Sequence, residues 1–244
     1  MSEQHRWLIL RLEAPLLAFG GVAIDQVGVT RDFPAASMLT GLLANALGWQ
    51  RTDWARHQRL QDRLVFAARR DRECPQGVLL DMQNARLEKN DRGWTTWGEP
   101  EGRDGASYGA PHRRQRYYHT DACVTVVLRL DAPGEQPDLD TLAQALQTPA
   151  RPIFLGRKPC LPSAQLYAGA TVAGSAHQAL HQAAAVEDGR PNMRALWPVA
   201  EGPSTGAGVH RIVSLPDLRN WKTGLHGGSR TVVEGQVTLA EEAE

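Results

Sequence analysis

The chain has 244 residues, with 27 Lys and Arg balanced by 27 Asp and Glu, and with 42% hydrophobic and 22% charged residues. These are ordinary globular values for one large domain, or one domain with a small second one, and they exclude a wholly disordered chain. No apolar run approaches the ~18–20 residues that span a bilayer, so no signal peptide and no membrane contact are expected, and three scattered cysteines suit a reducing, cytoplasmic compartment.

Residues 7–12 (WLILRL) are short and apolar before Pro15, and predict a buried first strand. A loop follows through Phe19-Gly20-Gly21, and residues 22–30 alternate only weakly. Residues 34–47 (PAASMLTGLLANAL) predict the clearest helix. Pro34 suits the first turn, Met38, Leu42, Leu43, Ala46 and Leu47 recur at helical spacing, and Gly48 supplies the stop. Gly41, inside this helix, predicts close packing against another backbone. A second helix over 53–64 would carry Arg56, Arg59 and Arg63 on its polar face. Strands are predicted over 64–70 and 77–82. Residues 85–120 show no hydrophobic periodicity, and a loop that long inside a compact domain is commonly functional. A strand over 121–130, a helix over 138–146 capped by Asp138 or Asp140, a turn-rich connector over 152–162, a strand over 166–172 and a helix over 175–185 complete the first part. Two β segments, 210–215 and 230–239, follow.

Without the insertion, the order to residue 173 is β-α-β-β-α-β, which predicts an α+β, ferredoxin-like (RRM-like) domain. The expected division is a domain over 1–173 with the insertion inside it, and a small β-containing C-terminal part over 174–244.

The chain has no GxxxxGK[ST] phosphate loop, no HExxH, no GxSxG and no CxxC. His177 and His181 stand four apart on a predicted helix, but nothing nearby completes a metal shell, so a polar helix face is the better reading and no metal or cofactor is expected. Ser37 sits near a helix N-terminus, where a hydroxyl caps or binds an anion. Cys160 follows Lys158 but reads as an inert buried thiol. Arg113, Arg114 and Arg116, interleaved with His112, Tyr117, Tyr118 and His119, combine guanidinium forks for phosphate with rings that stack bases. A solvated charged strand end is the rival reading. Arg157-Lys158, in a turn after Gly156, suits phosphate contact. Arg31, paired with Asp32 or free, stands beside the N-terminus of the Pro34 helix, where an anion would be stabilised. Trp94 and Trp97 in the insertion are stacking platforms or a local cluster.

Four segments resemble the fifth CRISPR-associated (Cas) protein family. LILRLEAPLLAFG (8–20) is similar to its LxLxGPxQxWG start, and RDFPAASMLTGLLANALGWQR (31–51) to its FPTKSGLLGLLAAALG helix. RQRYYHTDACVTVVL (114–128) resembles its REYLxDAxFxV stretch, and RPIFLGRKPCLPSAQLYAG (151–169) its PxYLGRKSCPPSxPLxxG segment. The LGRK-C-P segment points to the type I-E (CasD) branch. The resemblance implies a ferredoxin-like domain with an inserted β-hairpin thumb, here 84–118, in a subunit of the Cascade surveillance complex that is not an enzyme. Such a subunit would hold the 5′ handle of the CRISPR RNA, contact the backbone subunit CasC and the large subunit CasA, and meet target DNA only through the complex. Carried over residue by residue, the RNA-binding set is Phe19, Gly20, Arg31, Ser37, Arg113, Arg114, Arg116, Tyr117, Arg157 and Lys158. Ala35-Ala36 stand where family members often carry a basic residue before the serine, and Arg31 would compensate.

Two other readings stand beside this one. A type I-C relative within the family cuts repeat RNA without metal through Tyr, Lys and His; here His112 and His119 are available at the root of the insertion, without a Lys-His pair, and Trp49 stands near the expected Tyr. The third reading is a purely structural assembly protein, whose arginines face acidic partner surfaces.

Overall fold

The computed structural model describes residues 3–85, 93–94, 100–101, 112–186 and 192–238. Among them is a ten-stranded mixed sheet. Its main path runs β11 (Val209–Arg219), β12 (His226–Thr238), β10 (Asn192–Pro198), β4 (Leu64–Arg72), β8 (His112–Leu130), β1 (His5–Leu17) and β9 (Tyr167–Ala173), each neighbour antiparallel. The helices are α1 (Ala36–Ala46), α2 (Trp54–Arg63), α3 (Leu139–Gln147) and α4 (Ala176–Gln182).

Alternation along β1 explains the layering, because successive strand side chains point to opposite faces. Leu8, Leu10 and Leu12 join Leu39 and Leu43 of α1 and Leu142 and Leu146 of α3 in one buried cluster. Trp7 points the other way and joins Ala176, Ala179 and Leu180 of α4 and Trp197 of β10. Asp138 caps α3 by accepting the Thr141 N–H at 2.8 Å, and Ser175 caps α4 through the Gln178 N–H. Those contacts fill orphan amides at the two helix starts.

The structure corrects four local expectations. Residues 112–120 are not irregular but form the first half of the 19-residue β8. That half pairs with β5 (Val78–Ala85), and Val27 and Gly28 of β3 (Val27–Gly28) join it in parallel. The weakly alternating 22–30 segment is a tight hairpin of β2 (Ala23–Ile24) and β3. Arg63 is not on a polar face: it is buried and donates to the carbonyls of Asp131, Ala132 and Glu135. Gly41 faces a side chain rather than a backbone, for a Cβ there would lie 3.5 Å from Trp221 Cη2. The strand β10 carried no clear sequence signal. It pairs with β4 through Ala195–Arg69 and Leu196–Ala68, so residues 192–238 extend the same sheet. Two short strands, β6 (Gly93–Trp94) and β7 (Pro100–Glu101), pair within the insertion. The rest of the expected thumb, with Trp97 and Arg103 and the side chains of Trp94 and His112, lies outside the described residues.

Candidate nucleic-acid interface

Three segments meet at the end of β1. Ala18 donates to Leu155 O at 3.2 Å, Phe19 donates to Thr30 Oγ1 at 3.0 Å, and Gly20 O accepts from the Arg31 N–H at 2.9 Å. Gly156 has φ +94°, and a Cβ on it would fall 1.6 Å from Ala18 O, so only glycine lets the 153–158 turn press against the glycine loop. Between these loops, α1 and the β11–β12 end lies a cleft of about 530 Å³. Phe19, Gly20, Arg31, Ser37 and Arg157, half of the expected RNA-binding set, line it.

The arginines divide by how much of each guanidinium is already engaged. Arg157 donates to Gly28 O at 2.8 Å, Val29 O at 3.1 Å and Tyr117 O at 2.9 Å, and lies 4.8 Å over the Tyr118 ring. It braces the β2–β3 hairpin against β8. Arg116 converges on the same place, since a Cβ on Gly28 would be 2.7 Å from one Arg116 nitrogen and 3.1 Å from one of Arg157. Arg31 reaches Pro216 O at 2.8 Å instead of pairing with Asp32, whose carboxylate takes Arg194 and Arg70. Burial alone would raise the Asp32 pKa, but the Arg194 hydrogen bond and the charges of Arg194 and Arg70 outweigh it and hold the group below its ordinary value. Arg151 donates to Gly48 O and Trp49 O, closing the C-terminal end of α1. Lys158 is exposed beside Arg157, and Arg113 and Arg114 are exposed on β8, away from the cleft lining.

Ser37 lines the cleft, but the helix start is filled from elsewhere. The N-cap position is Ala35, and Asp217 of β11 accepts the Ala36 N–H at 3.0 Å. Phe19 is buried and tilts against His119, with ring centroids 5.5 Å apart. His119 Nε2 lies 2.8 Å from Arg31 O, so it carries the proton and donates, while Arg70 approaches Nδ1 at 3.4 Å. Burial lowers its pKa, and a neutral imidazole is what this pairing requires. Tyr117 is half-buried, and the adjacent Tyr118 is the buried ring.

Sequence reasoning left Arg51, Arg219, Trp221 and His226 out of the set, although all line the cleft. Trp49, His57 and Trp221 form a tier there, with centroids 5.6 Å and 4.7 Å apart. Arg51 stood inside the quoted 31–51 segment and was legible as a cation just past the helix. Arg219 and Trp221 belong to a hairpin whose return to α2 no local pattern announces. Among the described residues there is no group of three metal-ligating side chains, and no helix is long and apolar enough to cross a membrane. His177 and His181 pack ring to ring at 4.6 Å, and burial pushes His177 down to about 4. Burial raises the Cys160 thiol, which leaves it unreactive.

The sequence model of the family described as CRISPR-associated protein (Cas_Cas5) matches residues 7–233. The chain belongs to the Cas5 family. It is 32% identical over 174 residues to the CRISPR system Cascade subunit CasD of Escherichia coli (strain K12), covering 71% of this chain and 75% of that protein. Its fold is similar to a chain of a CRISPR RNA-guided surveillance complex, with TM-score 0.68 and 23% identity over 96% of this chain and 90% of the other. A second similar structure is a Cas protein crystal structure, with TM-score 0.53 and 21% identity over 97% and 96% of the two chains. In this Cas5 chain the segments 8–20, 31–51 and 151–169 that carry the resemblance all contribute to the cleft wall.

Proposed function

We propose that this Cas5 chain is a non-catalytic subunit of a type I-E Cascade, and that its cleft holds the 5′ handle of the CRISPR RNA. The observation that carries this reading is the cleft itself: five arginines (Arg31, Arg51, Arg151, Arg157, Arg219) line it, and the only carboxylate among its described lining residues, Asp217, is neutralised by Arg230. A cleft with that charge, on a protein of zero net charge, suits a phosphate backbone. Trp221, half-buried in the lining, adds aromatic surface of the kind that accompanies single-stranded RNA recognition, while Phe19 and Trp49 are buried behind it. The relative's place as a Cascade subunit supports assembly with other Cascade subunits, among which the resemblance implies CasC and CasA, with target DNA met only through the complex. The β9-β1-β8-β4 order with α1 and α3 is what a ferredoxin-like unit has, and the β5–β8 arm is where a thumb would begin.

The non-catalytic part rests on chemistry. A general base needs a free nitrogen within reach of the 2′-OH. Both nitrogens of His119 are engaged within the fold, and His57 is buried between Trp49 and Trp221 with Nδ1 2.8 Å from Asp53 O, while the exposed His226 stands in the lining with no lysine among the described lining residues to complete a Lys-His pair. The experiment is incubation of the purified chain with labelled repeat RNA, with and without EDTA. Retention of the handle without cutting is the expected result; metal-independent cutting would overturn the reading.

A further inference from the structure

Arg219 is set at the rim of the cleft by a tightly built turn. Gln61 of α2 donates to Arg219 O at 2.9 Å and accepts its N–H at 3.0 Å and Trp221 Nε1–H at 3.1 Å. Gln58 accepts the Trp221 N–H at 3.2 Å. Asn220 Oδ1 accepts the N–H groups of Lys222 and Thr223, both at 3.1 Å, and Asn220 and Leu225 close the turn by a backbone bond of 2.9 Å. The hairpin end is therefore tied to α2 through backbone groups, and the Arg219 side chain is left over.

Arg51, from the turn between α1 and α2, reaches toward the same side of Gly224. A Cβ on Gly224 would lie 3.2 Å from one terminal nitrogen of Arg219 and 4.0 Å from one of Arg51. Neither guanidinium has an ion pair with a described carboxylate, and Arg219 Nε is buried with no hydrogen-bond partner. Bringing two like charges together without a counter-charge is unfavourable, and an anion between them reverses the sign. Arg219 also lies 5.2 Å over the Trp221 ring, which fixes the plane of its fork.

We propose that Arg51 and Arg219 together clamp one phosphodiester of single-stranded RNA at the cleft rim. This deepens the handle-binding reading and rests on it. Two guanidinium forks match the oxygens of one phosphate, whereas the rest of the cleft's arginines are largely committed to carbonyl groups.

The test is RNA binding by the full-length chain across a salt series, using a labelled handle oligonucleotide. The variants are Arg51→Gln, Arg219→Gln and the double variant, with thermal melts run alongside. Each single variant should weaken binding about ten- to a hundredfold, as for loss of a charge-assisted contact, and lower the salt slope by about 0.7. The double variant should bind little worse than either single one, because both residues serve one phosphate. Arg219→Lys should restore the charge but only part of the affinity. Additive losses, or a double variant equal to wild type, would overturn the clamp while leaving handle binding intact. Binding by Arg51→Gln or by Arg219→Gln equal to wild type would also overturn it. Absence of RNA binding by wild type would overturn the clamp together with the handle-binding reading.

Discussion

The Asp217 carboxylate of β11 accepts the first amide of α1, from Ala36, at 3.0 Å, and the same carboxylate takes a double contact from Arg230. One buried acid thus joins the C-terminal hairpin to the helix that floors the cleft. Removing it as Asp217→Ala leaves the Arg230 charge without its partner and the helix start without its anion. A loss of about 3–5 kcal/mol is expected, the usual cost of breaking a buried pair. A thermal melt should fall by roughly 10 °C or more, and a shift within 2 °C would show that the junction is not held this way.

Arg157 and its neighbour Lys158 should separate structure from binding. Arg157 joins Gly28, Val29 and Tyr117, so Arg157→Ala should cost about 1.5–3 kcal/mol and weaken RNA retention by loosening the β2–β3 hairpin. Arg157→Lys should rescue little, because one ammonium cannot span three carbonyls. Lys158→Ala should leave the melt unchanged, since that side chain is exposed. Equal melts for the Arg157 and Lys158 variants would remove Arg157 from its bracing role.

Gly156 offers a sharper probe of the same corner. Its φ of +94° is strained for any L side chain, and the added Cβ would meet a backbone oxygen rather than a flexible side chain. Gly156→Ala should cost at least about 3 kcal/mol and reduce handle retention, read by melting and by gel shift. Wild-type behaviour in both would mean that the two loops are not in contact.

The residues that were legible in the sequence are those whose signal is local. The leucines of 34–47, the Asp138 cap and the Ser175 helix start each declare themselves within one or two turns. Gly20 and Gly156 were marked as turn glycines, but their mutual approach depends on β1 and the 153–158 turn meeting in space. Arg157 and Ser37 carry a phosphate-binding look in sequence. In the fold, carbonyl groups claim the first, and Asp217 from the far end of the chain takes the helix start beside the second. Arg219 carries no local signal for the same reason: Gln61, remote in sequence, is what holds its backbone at the cleft rim. Residues 112–120 misled because β8 there faces a short arm, where the pattern of a core strand is absent.

Histidine burial predicts the acid limb of stability. His177 packs on Trp197 and His181, each with centroids 4.6 Å away, and burial first, then the His181 charge, lowers its pKa to about 4 in the fold. In the unfolded chain it titrates near its ordinary value of 6.5. Between these values the unfolded state binds the extra proton, so stability rises with pH. The contribution is fully present above about pH 6.5 and is lost as the pH falls towards about 4. His119, lowered by burial first and by the Arg70 charge against the raising effect of its bond to Arg31 O, adds to the loss in the same direction. Denaturant unfolding at pH 7.5, 6, 5 and 4.5 should show stability declining by about 1–2 kcal/mol for the His177 share, allowing for partial exposure. In His177→Gln the decline should be shallower by that share, with the His119 share remaining. A slope identical to wild type in this variant would mean that His177 is protonated in the native fold without cost.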